Sequence, residues 1–234
     1  MIAPSGQVMS LARAAVSEFL LDARRGRPLL VAFSGLSGDA PVSHYEFIGL
    51  AQSLDVSTCF IRDLRQAWYR SGARGLGDSL PEVAARVAGI AREADATRVV
   101  FVGASAGGFA AIVAGVLAGA DEIHAFCPQT DLRLLRRWAS KDFRWSTALL
   151  RRRWSSRAKE PHDDLRAFLR ARRHDSRIHL HVGRLDLDER AVRRLSGLPG
   201  VHVVHHEVPG HAIARVLRAE GTLEKIVTSA LGAG

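Results

Sequence analysis

The stretch RVVFVGASAGGFAAIVAG, from Arg98 to Gly115, limits the possible folds of this chain more than any other. An apolar, β-branched run drives into small residues, and an alanine-rich segment of helix formers follows with no linker. The pattern predicts a strand, a tight corner and a helix in immediate succession. The corner reads Gly103, Ala104, Ser105, Ala106, Gly107, with a single serine at its centre. A corner this tight forces its central residue into a strained conformation, and bulky neighbours at either glycine would collide.

The same alternation recurs along the chain. Short apolar runs predict further strands at Pro28 to Phe33, Val56 to Ile61, Glu122 to Cys127, Arg177 to Val182 and Val201 to Val208. Helices are predicted over Tyr45 to Leu54, over Leu80 to Ala94 with a proline near its start, from Gly107, between the last two strands, and near His211. Val8, Leu11, Ala12, Ala15, Phe19 and Leu20 add a helical stripe before Arg24. Strands alternating with helices in this way predict an α/β fold, a mostly parallel sheet with helices on both faces. An apolar content of 47 % supplies its core, and a single domain over residues 1–234 is expected.

One segment breaks the pattern. Between Thr130 and His174 there are 14 Lys and Arg against 5 Asp and Glu, which equals the net charge of +9 carried by the whole chain. Three of the four tryptophans also lie there: Trp138, Trp145 and Trp154. The segment reads as a basic helical insertion over 130–174. Charge confined to one element argues against a basic coat for nucleic acid and for a local anionic partner.

The corner resembles the nucleophile elbow of the α/β-hydrolase family, and the resemblance extends over nearly the whole chain. Its glycines do not have the spacing of a dinucleotide-binding fingerprint. The family carries its catalytic residues in the order serine, acid, histidine, and candidates follow in that order. Resemblance implies Ser105 as nucleophile, His211 in VPGHA as general base, and Asp186 in GRLDLDE as the acid that orients the histidine. Asp188 and Asp131 are alternatives for the acid. It further implies an oxyanion hole from the backbone amides of Ala106 and Leu36, although Ser34-Gly35 stands where many members carry His-Gly. The basic insertion falls where the family places a lid, with Trp138 and Trp145 near helical spacing toward an acyl pocket. The implied activity is that of a serine hydrolase, esterase or thioesterase in type, working through an acyl-serine on a small-molecule or carrier-bound substrate of anionic character. Acyl transfer to a sugar or amine is the alternative, and a non-catalytic binding protein on the same scaffold is a second. No cofactor is implied.

Other stretches carry weaker signals. Arg62, Trp68 and Tyr69 lie in RDLRQAWYRSG, on the edge where ligands approach such sheets, and are candidates to grip a sugar or an anion. Together with Ala125 to Gln129, the stretch is similar to small hydrolase-like proteins that accompany glycan assembly. His179 and His181 alternate on one strand face and His202, His205 and His206 lie on the next predicted strand, where zinc is one reading and exposed polar strand faces the simpler one. No metal centre is expected. Cys59 and Cys127 sit in apolar runs and read as buried thiols. The N-terminal stretch lacks an uninterrupted apolar run, and no window is long enough to cross a bilayer. A cytoplasmic protein is expected.

Overall fold

The structure is a computed structural model and describes residues 17–36, 45–52, 54–133 and 160–232, with the side chains of 51, 52 and 186 excepted. Seven strands form one sheet: β1 (Phe19–Asp22), β2 (Leu29–Phe33), β3 (Ser57–Ile61), β4 (Val99–Ala104), β5 (Glu122–Phe126), β6 (Arg177–Arg184) and β7 (Val201–Pro209). Their spatial order is β1-β3-β2-β4-β5-β6-β7. Every pairing is parallel except β1 with β3. Phe19 and Leu20 therefore lie in an antiparallel edge strand, where the sequence pattern predicted a helix; their partners are Ile61 and Phe60. Sheet pairing has overridden a helical period whose earlier positions, Val8 to Ala15, lie outside the described residues. Tyr45 to Leu54 yields only a 3-10 turn at Ile48–Gln52.

Helices cover both faces. On one face lie α1 (Leu80–Glu93), α2 (Ala106–Ala118), α3 (Leu165–Arg170) and α4 (Asp186–Arg193). The other face takes α5 (Ile213–Ala219) and α6 (Thr222–Leu231). In α1 the buried side chains are Leu80, Val83, Ala84, Val87 and Ile90, the stripe of an amphipathic helix. Ser79 caps its first turn, accepting from the Glu82 amide. By contrast α2 is apolar all round and buried from Ala106 to Val116, because it is wedged between the sheet and α1.

The two ends of the basic segment 130–174 are stitched together. The Leu132 amide donates to the Asp163 carbonyl at 2.8 Å and the Leu165 amide to the Thr130 carbonyl at 3.1 Å. Asp131 and Asp164 form an isolated antiparallel bridge there. Arg133 and Arg194 reach both carboxylates, at 2.6 to 3.1 Å. Residues 134–159, with Trp138, Trp145, Trp154 and the Arg151 to Arg153 run, lie outside the described residues.

Candidate active site

The carboxyl ends of β2, β4, β5, β6 and β7 converge on Ser105, the edge at which open parallel sheets bind ligands. Ser105 is the cap of α2 and holds φ 53°, ψ −114°. A non-glycine residue there costs on the order of 1–3 kcal/mol, which surrounding structure must offset. The flanking glycines show how. A Cβ on Gly103 would stand 2.2 Å from the Gly107 carbonyl oxygen, and one on Gly107 would stand 2.3 Å from that of Phe33. Strand, corner and helix thus touch backbone to backbone. The Ser105 amide donates to the Phe126 carbonyl at 2.8 Å, fixing the corner to β5.

His211 follows β7 and meets the serine. Its Nε2 lies 2.9 Å from Ser105 Oγ, and its Nδ1 lies 2.8 Å from Asp188 Oδ2. A carboxylate only accepts hydrogen bonds, so Nδ1 carries the proton and Nε2 faces the hydroxyl as acceptor. The expected acid was Asp186; the carboxylate that meets the imidazole is that of Asp188, which was an alternative. Asp186 is the first residue of α4, and its side chain lies outside the described residues. Asp188 stands two positions on, its amide bonded to the Leu185 carbonyl, and it is 2 % exposed. Asp131, the other alternative, is engaged by Arg133 and Arg194 at the neck of the insertion.

Ala106 is the first residue of α2, so its amide is among those a helix leaves without an intrahelical acceptor, and the helix dipole adds positive potential there. The turn Ser34 to Leu36 packs against the same corner, since a Cβ on Gly35 would stand 3.2 Å from the Ala104 carbonyl oxygen. Glu46, which the sequence reading missed, braces that turn. Its Oε2 accepts from the Gly35 amide at 3.0 Å, and its own amide donates to Ser34 Oγ at 3.2 Å. Burial raises the Glu46 carboxyl above its ordinary range, against the pull of the Gly35 amide and of Arg215, His211 and Arg218.

Arg62, Trp68 and Tyr69 are placed differently from their expected role. Arg62 is 3 % exposed, donates to the Ser17 carbonyl at 2.8 Å and stacks over Tyr45 at 4.5 Å. Trp68 and Tyr69 are fully buried. The Tyr69 hydroxyl donates to the Ser34 carbonyl at 2.7 Å, and the Trp68 indole donates to Gln129 Oε1. Gln66, Trp68 and Tyr69 all take positive φ, between 50° and 57°. Asp63, 4 % exposed, sustains that bend by accepting from the amides of Arg65, Ala67 and Tyr69. Both aromatics belong to the hydrophobic core on the α1–α4 side of the sheet.

Of the late-strand histidines, His202 and His205 are exposed as expected, His179 and His206 are half-buried, and His181 is buried. His124 and His181 are 5 % and 3 % exposed and lie on the sheet face that carries α5 and α6, toward its β7 edge. His124 Nε2 lies 3.1 Å from Glu122 Oε2, His124 Nδ1 lies 3.0 Å from His181 Nε2, and His181 Nδ1 lies 3.0 Å from His206 Nε2. Burial pushes the His124 imidazole down to about 4 and that of His181 well below its ordinary value. Cys59 and Cys127 are buried thiols outside any disulfide, and burial pushes the Cys59 thiol up to about 12. Among the described residues no helix is long and apolar enough to cross a membrane.

No family model and no curated protein matches the chain. Solved structures do. The capsule O-acetyltransferase of Neisseria meningitidis serogroup A aligns at 16 % identity and TM-score 0.63, over 88 % of this chain and 90 % of that one. Brefeldin A esterase, a bacterial homologue of human hormone-sensitive lipase, aligns at 17 % and 0.61, over 99 % and 79 %. An α/β-hydrolase enzyme from the metagenome of lagoon sediments at Mar Chica, Morocco, aligns at 14 % and 0.57, over 91 % and 95 %. The chain has the α/β-hydrolase fold.

Proposed function

We propose that the protein is a serine hydrolase of the esterase type, with Ser105 as nucleophile, His211 as general base and Asp188 as the group that orients His211. The observation that carries this reading is the continuous Asp188–His211–Ser105 hydrogen-bond chain ending on a strained strand-to-helix corner. A hydroxyl is a weak nucleophile until an adjacent base takes its proton. Here His211 Nε2 accepts the Ser105 proton as Oγ bonds to the acyl carbonyl carbon. The carbonyl oxygen becomes an oxyanion and is received by the amides of Ala106 and Leu36. The tetrahedral species collapses, His211 protonates the departing group, and an acyl-serine remains. Water, deprotonated by His211, then attacks the acyl carbon, and His211 returns the proton to Ser105 Oγ as the acid is released.

Transfer to an acceptor hydroxyl is the second reading. It is favoured by the fold shared with a capsule O-acetyltransferase over nearly the full length of both chains. The same triad serves either outcome, because only the attacker of the acyl-serine changes. The basic insertion, with Trp138, Trp145 and Arg151 to Arg153, is then the element that covers the acyl group and draws in an anionic substrate or carrier.

Rapid mixing with p-nitrophenyl acetate tests the reading. An initial burst of nitrophenol, stoichiometric with enzyme and absent from His211→Ala, is the expected result. Release without a burst that persists in His211→Ala would refute it. Adding sugar alcohols distinguishes the two outcomes, since transfer raises nitrophenol release and yields an acetylated acceptor.

A further inference from the structure

The face of β5 and β6 carries a second constellation, remote in the sheet from the serine corner. His124, His179 and His202 are register partners across β5, β6 and β7. The rings of His124 and His179 stack at 4.6 Å, and those of His179 and His202 at 5.4 Å. Glu122 stands at the amino end of β5. Its Oε1 receives Arg98 at 2.7 Å and also Arg177, whereas its Oε2 faces His124 Nε2 at 3.1 Å and His179 Nε2 at 3.9 Å.

We propose that Glu122 Oε2, His124 Nε2 and His179 Nε2 form a binding site for a divalent ion of the zinc class, which ties β5 to β6. The three donor atoms lie within 4.8 Å of one another. Two imidazoles and one carboxylate are a set that zinc takes at about 2.0–2.2 Å; because the His124 and His179 rings stack at an interplanar angle of 7°, the His179 ring must turn out of the stack so that both Nε2 lone pairs meet the ion. The guanidiniums occupy the other carboxylate oxygen, so they orient Glu122 without blocking Oε2, and their charge moderates the affinity. His179 is half-buried, which leaves solvent access for a fourth ligand such as water.

The histidines behind the site complete the argument. With no ion, Glu122 only accepts, so His124 donates from Nε2, His181 donates from Nε2 to His124, and His206 donates from Nε2 to His181. An ion on His124 Nε2 requires the opposite tautomer. His124 then donates from Nδ1 to His181 Nε2, and His181 donates from Nδ1 to His206 Nε2. One proton leaves His124 Nε2 and one is taken up at Nδ1 of His206, so every ring stays neutral and both imidazole–imidazole hydrogen bonds survive, while coordination replaces the His124–Glu122 hydrogen bond. A ligating histidine ordinarily donates its other N–H to such a partner, and this chain supplies one in advance. The role is structural, since the chemistry proposed above needs no metal.

Titration of untagged, chelator-treated full-length protein with Co²⁺ and Zn²⁺ tests the site. The expected result is one equivalent of Co²⁺ with visible bands of tetrahedral nitrogen–oxygen coordination, displaced by Zn²⁺. Tm should rise by about 5 °C or more at a free ion concentration a hundredfold above Kd. His179→Ala and His179→Gln, verified as folded by circular dichroism, should lose both signals, and Cys127→Ser should keep them. Absence of both signals in the unmutated protein would overturn the proposal. So would their survival in the His179 variants, or their loss in Cys127→Ser, which would move the ion to the Cys127–Asp188–His211 group.

Discussion

Two hydrogen-bonded chains in this molecule end on a carboxylate. One runs Ser105–His211–Asp188 and the other His206–His181–His124–Glu122. Each holds an imidazole against a buried or partly buried carboxylate, so the imidazole–carboxylate pair cannot be what distinguishes them. The backbone does. Ser105 sits at φ 53° beside the first amides of a helix, whereas all four groups of the second chain lie on strands. The first chain ends on a hydroxyl at the amino end of a helix; the second ends on a half-buried imidazole of β7. The proposed reactivity of Ser105 therefore rests on where the backbone is bent and polarised as well as on the histidine beside it.

The largest expected effect breaks the symmetry between the chains. Asp188→Asn should lower kcat toward an activated ester by about 10⁴-fold, through the wrong imidazole tautomer. His206→Ala, at the end of the other chain, should leave kcat within a factor of about two. Comparable losses in the two variants would contradict the distinction.

Stability should respond to pH in the opposite manner. In the metal-free protein the folded His124 titrates at about 4, below its unfolded value near 6.5. The unfolded chain therefore binds the proton first. Stability is fully present above about pH 6.5 and is lost as pH falls toward 4, by on the order of 3 kcal/mol from this residue. Urea unfolding at pH 7 and pH 4 should show the loss, and His124→Gln should reduce it. The same slope in that variant would assign the effect to other groups.

A smaller loss should come from the corner itself. Gly107→Ala places a methyl 2.3 Å from a backbone oxygen that has no rotamer to yield, and should cost about 1–3 kcal/mol in urea unfolding. An unchanged midpoint would mean that the corner is looser than its contacts imply. The smallest effect concerns the insertion. Changing Arg151, Arg152 and Arg153 to Glu should raise KM for an anionic acyl substrate roughly tenfold, with little change for a neutral ester, and the gap should narrow with salt. Equal responses of the two substrates would reduce these arginines to solvated surface.

Much of this was legible in the sequence because strand and helix periods are local. The parallel strands and α1 follow from apolar runs and from helix formers behind a proline, and Ser105 and His211 from the resemblance to the α/β-hydrolases. What escaped depends on long-range geometry. Phe19 and Leu20 fit a helical stripe until β3 offers them a partner edge. Spacing along the chain is silent on which of two nearby aspartates meets His211, and the structure brings Asp188 to it. Trp68 and Tyr69 have the composition of a ligand grip, yet the buried carboxylate of Asp63 turns them into the core. Glu46 and Gln129 carried no sequence signal, since their partners are the Gly35 amide and the Trp68 indole, both distant along the chain. Placement of His124 and His181 on a covered face required the strand order.

The central claim is that the bent corner makes Ser105 a nucleophile. Labelling the full-length protein with a fluorophosphonate probe and locating the adduct by peptide mass spectrometry tests it most directly. The account predicts one adduct, on Ser105, and none in a Ser105→Ala variant that unfolds at the same urea midpoint. An adduct on another serine, or undiminished labelling of that variant, would contradict it.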